Sequence, residues 1–188
     1  MISRHPYLLD RTNTVLVAVD LQEPFLRTIH ERERVISQSR LLIKAAQALG
    51  VPVITTLQYA ARMGGLVPEI AELFADTAEQ SFDKLVFSCC GSDEFTNAVA
   101  ASGRKQVLLC GVETHICVNQ TALDLLHRGY QVHVAPDAVS SRTLERHKLG
   151  MEKMRDAGVV PCASEGAVFE LLYAASEPEF KAIHAIVK

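Results

Sequence analysis

A chain of 188 residues with 48% apolar side chains can bury one sizeable core without disulfide or metal staples. Its 19 basic and 22 acidic residues give a net charge of −3 with no basic cluster, which argues against a nucleic-acid partner. The 5 cysteines form no C-x-x-C pair, no signal-peptide core follows Met1–Pro6, and no apolar run could span a bilayer, so neither a disulfide framework, a cysteine zinc site nor a membrane role is expected.

The first apolar run, Val15–Val19, ends at Asp20. Val35, Leu42, Ala45, Ala46 and Leu49 then share one helix face, stopped by Gly50 and Pro52. A second run, Val53–Leu57, leads into an irregular stretch from Gln58 to Lys84, with a helix expected near Glu69–Ala75. Lys84 precedes a third run, Leu85–Phe87, and Cys89 and Cys90 fall in the loop beyond it. After the fourth run, Val107–Cys110, a helix from near Thr114 to Gly129 places Ile116, Leu123 and Leu126 on one face and Cys117 in its first turn. The fifth run is Val132–Ala135, followed by a helix through Leu144, Met151 and Met154 and a sixth run, Val159–Cys162. A capping-box pattern at Ser176-Glu177-Pro178-Glu179 opens the last helix, which presents Phe180, Ile183 and Val187 to the core.

Runs that are apolar throughout suit strands covered on both faces, and their alternation with helices predicts a doubly wound α/β fold. That fold is a three-layer αβα sandwich with a six-stranded parallel sheet, in one domain over residues 1–188. Ligands bind such sheets at the carboxyl ends of the strands, where strand order reverses, so chemistry is sought just after the apolar runs. The runs from Val15 and Val107 are expected to be neighbours, which brings Asp20 close to Cys117.

Each candidate has an ordinary reading beside the chemical one. Asp20 can cap a turn or act as a general base. Cys117 can be a small buried residue, or a thiol whose pKa a helix N-terminus lowers, beside backbone N–H groups able to hold an oxyanion. Lys84 alone reads as a surface lysine at a strand start. His115 lies close to Cys117, and His133 lies inside a strand, where a satisfied core histidine is expected. The other five histidines read as solvated, and no nucleotide-binding or serine-hydrolase signature is present.

Together the candidates carry a resemblance. Asp20 in D-L-Q-x-x-F, Lys84 in F-D-K-x-x-F-S and Cys117 in G-V-E-T-H-I-C-V resemble the isochorismatase-like cysteine hydrolases, and the E-T-H-x-C-V form is most similar to the isochorismatase-domain-containing proteins. Thr56-Leu57-Gln58-Tyr59, Asn119-Gln120-Thr121-Ala122 and Asp137-Ala138-Val139-Ser140-Ser141-Arg142 extend the likeness from Val15 to Val168. The resemblance implies a catalytic triad of Asp20, Lys84 and Cys117, and a non-proline cis peptide at Val112–Glu113. It also implies an oxyanion hole from the backbone N–H groups of Glu113 and Cys117. Gln22, Phe25, Gln58, Tyr59 and His115 are the expected pocket residues.

The metal-binding Asp and His cluster of nicotinamidase relatives is missing from Gln58-Tyr59-Ala60-Ala61-Arg62, so no metal or cofactor is expected. The implied function is hydrolysis of a small molecule, through an amide or related C–N bond and a Cys117 thioester. The expected setting is a cytoplasmic dimer or tetramer. A catalytically silent interaction protein on this fold is the main rival reading. A phosphoryl-transfer enzyme using Asp20 is another, disfavoured because Gln22 stands where a second carboxylate would hold magnesium.

Overall fold

Residues 4–75 and 81–188 are described by the computed structural model. Valine- and leucine-rich segments form six strands: β1 (Thr14–Val19), β2 (Val53–Gln58), β3 (Ser81–Lys84), β4 (Gln106–Val112), β5 (Gln131–Ser140) and β6 (Val160–Pro161). They lie parallel in the order β3-β2-β1-β4-β5-β6, so β1 and β4 are neighbours as expected. The helices are α1 (Glu23–Leu26), α2 (Arg32–Ala48), α3 (Ala60–Met63), α4 (Pro68–Ala71), α5 (Asp93–Ala101), α6 (Asn119–His127), α7 (Leu144–Asp156), α8 (Ser164–Leu172) and α9 (Phe180–Val187).

Side chains alternate across the sheet and divide the core in two. Leu16, Ala18, Leu108 and Cys110 face the apolar sides of α2, α8 and α9. Val15, Val17, Val19, Val107 and Leu109 face Phe95 of α5, Leu125 of α6 and Met154 of α7. All six residues of β1 are buried, which accounts for its unbroken apolar run. The chain walks from β1 outward to β3, then returns to β4 on the other side of β1. The reversal point therefore lies between the ends of β1 and β4.

Gly111 makes that junction possible. Its φ is +109°, and a Cβ there would lie 2.1 Å from the Val19 carbonyl oxygen. No side-chain-bearing residue fits this approach of the two central strands.

Four local expectations are corrected. The third strand is Ser81–Lys84, while Leu85, Val86 and Phe87 lie beyond it, 71%, 46% and 56% exposed. β3 sits at the sheet edge with β2 as its strand partner, so burial does not demand a continuous apolar run there. The helix after β4 buries Val118, Ala122 and Leu125, whereas Ile116, Leu123 and Leu126 are half-buried. A wide turn over Thr114–Val118, in which the Val118 N–H reaches back to the Glu113 carbonyl at 3.3 Å, adds a residue and rotates the face. The capping box at Ser176–Glu179 does not form, because Glu177 and Glu179 pair with Arg11 at 3.2 and 3.3 Å, and α9 starts at Phe180. Cys89 and Cys90 are buried, not loop-exposed.

His133 is a fifth correction with a consequence for stability. It is fully buried on β5, yet neither ring nitrogen has a hydrogen-bond partner among the described residues. Burial holds the imidazole neutral and pushes its pKa down to about 4, only partly opposed by Glu170. A histidine lowered in the folded state leaves stability intact above its unfolded pKa of roughly 6.5 and removes it as pH falls toward the folded value. Urea unfolding is expected to show a loss approaching about 3 kcal/mol between pH 7 and pH 4 that His133→Leu removes. Equal pH dependence in wild type and variant would contradict this.

Candidate active site

The candidate site lies at the strand-order reversal, where the ends of β1, β2, β3 and β4 converge. Asp20 follows β1 in a left-handed conformation, φ +52°, which aspartate tolerates better than most residues. Its N–H donates to the Thr56 carbonyl at 3.1 Å, tying the turn to the end of β2. Thr56 and Gln58, two apart on β2, point the same way, and Gln58 pairs with Lys84 in the β2–β3 register. Lys84 is the last residue of β3 rather than the residue before it, and that shift places its ammonium level with Asp20.

The side chains form a closed set. Lys84 Nζ donates to Asp20 Oδ2 at 2.7 Å and to Gln58 Oε1 at 2.7 Å. Thr56 Oγ1 donates to Asp20 Oδ1 at 2.8 Å. The lysine and aspartate side chains are only 1% and 2% exposed. Burial works against the ammonium, but the Asp20 carboxylate and the nearby Cys89 and Cys117 sulfurs outweigh it and raise Lys84 above the usual lysine range. Lys84 and Asp20 form a salt bridge shielded from water.

Cys117 lies in the wide turn after β4, with 8% of its surface exposed. Helix α7 braces this turn: a Cβ on Gly150 would come within 2.8 Å of the His115 Cα, so only glycine allows the approach. Burial, the Asp20 charge and a hydrogen bond with Asp20 push the Cys117 thiol up, and Lys84 only partly opposes them. The expectation of a thiol lowered by its helix terminus is thus reversed, because burial and the Asp20 carboxylate favour the neutral form. Cys89 is pushed up to about 11, and Cys90, Cys110 and Cys162 each to about 12, all chiefly by burial.

A cavity of about 80 Å³ opens onto these groups, lined by Asp20, Phe25, Gln58, Phe87, Val112, Glu113, Ile116 and Cys117. The peptide bond between Val112 and Glu113 is cis. The Glu113 carboxylate accepts from the Arg142 N–H at 3.0 Å and from its guanidinium at 3.1 Å.

Of the expected pocket residues, Phe25 and Gln58 line the cavity. Gln22, Tyr59 and His115 do not. Gln22 is fully buried, and its amide ties the Gly64 carbonyl at 2.7 Å and the Gln58 N–H at 2.7 Å, so it shapes the loop behind the pocket. Tyr59 is 42% exposed outside the cavity, and His115 bonds Ser141 at 2.9 Å. Phe87, Val112 and Ile116 also line the pocket, none of them among the residues expected there. Phe87 was hidden by its assignment to a strand, although its position in F-D-K-x-x-F-S was a signal. Among the described residues no group of His, Cys, Asp and Glu could hold a metal ion, and no helix is long and apolar enough to cross a membrane.

Residues 14–166 match the family model for the isochorismatase domain. The chain belongs to the isochorismatase family. It is 40% identical over 178 residues to the secreted isochorismatase effector Isc1 of Phytophthora sojae, covering 94% of this chain and 85% of that one. The likeness to isochorismatase domain-containing protein 2 of Bos taurus is 36% over 176 residues, 94% of this chain and 83% of the other. Among solved structures, the MAR1 ribonuclease of Caenorhabditis elegans superposes with a TM-score of 0.88 at 36% identity, covering 95% of this chain and 91% of that one. YcaC of Pseudomonas aeruginosa, solved with covalent acrylamide, has a TM-score of 0.88 at 24% identity over 98% of this chain and 93% of its own, a likeness of fold. Membership in the isochorismatase family supports a hydrolase-type function.

Proposed function

We propose that this isochorismatase-family chain, one hydrolase domain over residues 1–188, cleaves a small uncharged amide or related C–N bond through a Cys117 thioester. The observation that carries the reading is the water-shielded Asp20–Lys84 pair at 2.7 Å on the cavity that Cys117 lines. Because the resting thiol is held neutral, Asp20 takes its proton as the sulfur attacks the substrate carbonyl. The backbone N–H groups of Glu113 and Cys117 are assigned to the developing oxyanion. Collapse of the tetrahedral adduct breaks the C–N bond, and Asp20 returns the proton to the departing amine. Water then adds to the thioester with Asp20 as base, releasing a carboxylic acid and restoring the thiol.

Cavity size and charge narrow the substrate. A space of about 80 Å³, walled by Phe25, Phe87, Val112 and Ile116, admits a small acyl group. The walls are largely apolar and Lys84 is already paired with Asp20, so a dicarboxylate such as isochorismate or a phosphate diester is poorly matched. The same lining weighs against a ribonuclease reading and against phosphoryl transfer. The 5 unpaired cysteines support a reducing compartment, the cytoplasm. The exposed run Leu85–Phe87 favours a dimer or tetramer over a catalytically active monomer.

The test is a screen of small aliphatic and aromatic amides for released amine, with wild type against Cys117→Ser. Turnover is expected in wild type, absent in the variant, and unchanged after dialysis against a chelator. No turnover of any amide would favour the silent interaction protein, and activity restored only by an added metal would overturn the metal-free mechanism.

A further inference from the structure

We infer that Thr56 is a positioning residue for Asp20, held in its orientation by the buried thiol of Cys89. This inference rests on the proposed role of Asp20 as the proton acceptor for Cys117. Asp20 is gripped from β2 at two points, its N–H by the Thr56 carbonyl at 3.1 Å and its Oδ1 by the Thr56 hydroxyl at 2.8 Å. Lys84 takes the other oxygen at 2.7 Å. With one donor on each oxygen the carboxylate cannot rotate about its last bond, so its free lone pairs keep a fixed aim.

A threonine hydroxyl can turn, and what stops this one is on the opposite side. Cys89 Sγ donates to Thr56 Oγ1 at 3.6 Å, within the longer reach of a sulfur hydrogen bond. That contact fills an acceptor position on the oxygen, leaving its proton directed at Asp20. Cys89 is itself fixed, since its N–H donates to the Thr121 hydroxyl at 2.9 Å at the start of α6. Thr56 and Cys89 are both fully buried. Burial pushes the Cys89 thiol up to about 11, so it remains an S–H donor throughout the neutral range. A buried, fully paired polar relay ending on a carboxylate is costly to leave half-made, and valine and alanine at these positions would pack more simply.

The experiment measures the acylation burst with p-nitroacetanilide, a chromogenic amide whose amine leaves only with the proton that Asp20 carries. Thr56→Val is expected to slow acylation about tenfold, as for loss of one hydrogen bond to a charged group, and Thr56→Ser to recover most of that loss. Cys89→Ala is expected to slow it about threefold, and Cys89→Ser to recover. In an Asp20→Asn background Thr56→Val is expected to add less than about a twofold change, because the residue it positions has gone. Thr56→Val reacting at the wild-type rate, or slowing acylation equally in the Asp20→Asn background, would overturn the assignment. Should Thr56→Val fail to fold, the Cys89→Ala and Cys89→Ser rates decide the matter in the same way. Cys117→Ser serves as the separate arm. If it acylates as fast as wild type, the nucleophile reading fails and this inference with it, whereas a dead Cys117→Ser beside a fast Thr56→Val refutes the role of Thr56 alone.

Discussion

Asp20→Asn is expected to lower hydrolysis of a small amide by roughly 10²–10⁴-fold, the usual loss on removing a general base, while leaving Cys117 at least as open to iodoacetamide as in wild type. The two effects part because Asp20 has opposite influences on the two reactions. Its charge lies beside the sulfur and helps hold the thiol neutral, so removing it leaves Lys84 to favour the thiolate. Alkylation needs only the thiolate. Amide cleavage also needs a proton delivered to the amine, and asparagine cannot carry one. Amine release and peptide mapping after brief labelling, on the same preparation, check both. A variant slow in both assays would mean that Asp20 maintains the site rather than moving protons.

Lys84→Ala is expected to fail in both assays and to unfold more easily, by about 3–5 kcal/mol, as for a buried ion pair that loses one member. The alanine leaves the Asp20 carboxylate without its cation in a site only 2% exposed. It also removes the group that opposes burial at Cys117, so labelling slows. The stability difference has a pH signature. A lysine raised in the folded state contributes fully below its unfolded pKa, roughly 10.4, and that contribution is lost as pH rises through the folded value. Urea midpoints of wild type and variant are therefore expected to differ widely at neutral pH and to converge in strong base. A difference below about 1 kcal/mol at pH 7 would place Lys84 among ordinary surface pairs.

The sheet was legible because β1 and β4 are buried on both faces, and burial on both faces writes itself as an unbroken apolar run. The edge strand was not, since Ser81–Lys84 has no such constraint, and of the apolar residues after it Phe87 answers to the pocket. Asp20 and Cys117 stood out by their places after β1 and β4. Thr56 and Gln58 stand out only through the T-L-Q-Y match, because their contacts with Asp20 and Lys84 depend on the β1–β2 and β2–β3 registers, which no single segment encodes. The state of the Cys117 thiol is hidden from the sequence for a related reason. A helix start is visible in sequence, but the burial and the neighbouring carboxylate that outweigh it arise only on folding. Gln22 and His115 lie within the motifs yet turn away from the cavity, so motif membership located the site without sorting its residues.

The central claim is that the substrate's acyl group passes through the Cys117 sulfur. Its most direct test is rapid acid quench during turnover of p-nitrophenyl acetate, followed by peptide mapping by mass spectrometry. The account predicts one acetyl group per chain on the peptide carrying Cys117, accumulating in the burst and disappearing as substrate is exhausted. Acetyl found on Cys89, on Lys84 or scattered over surface lysines, with Cys117 unmodified at every quench time, would contradict it.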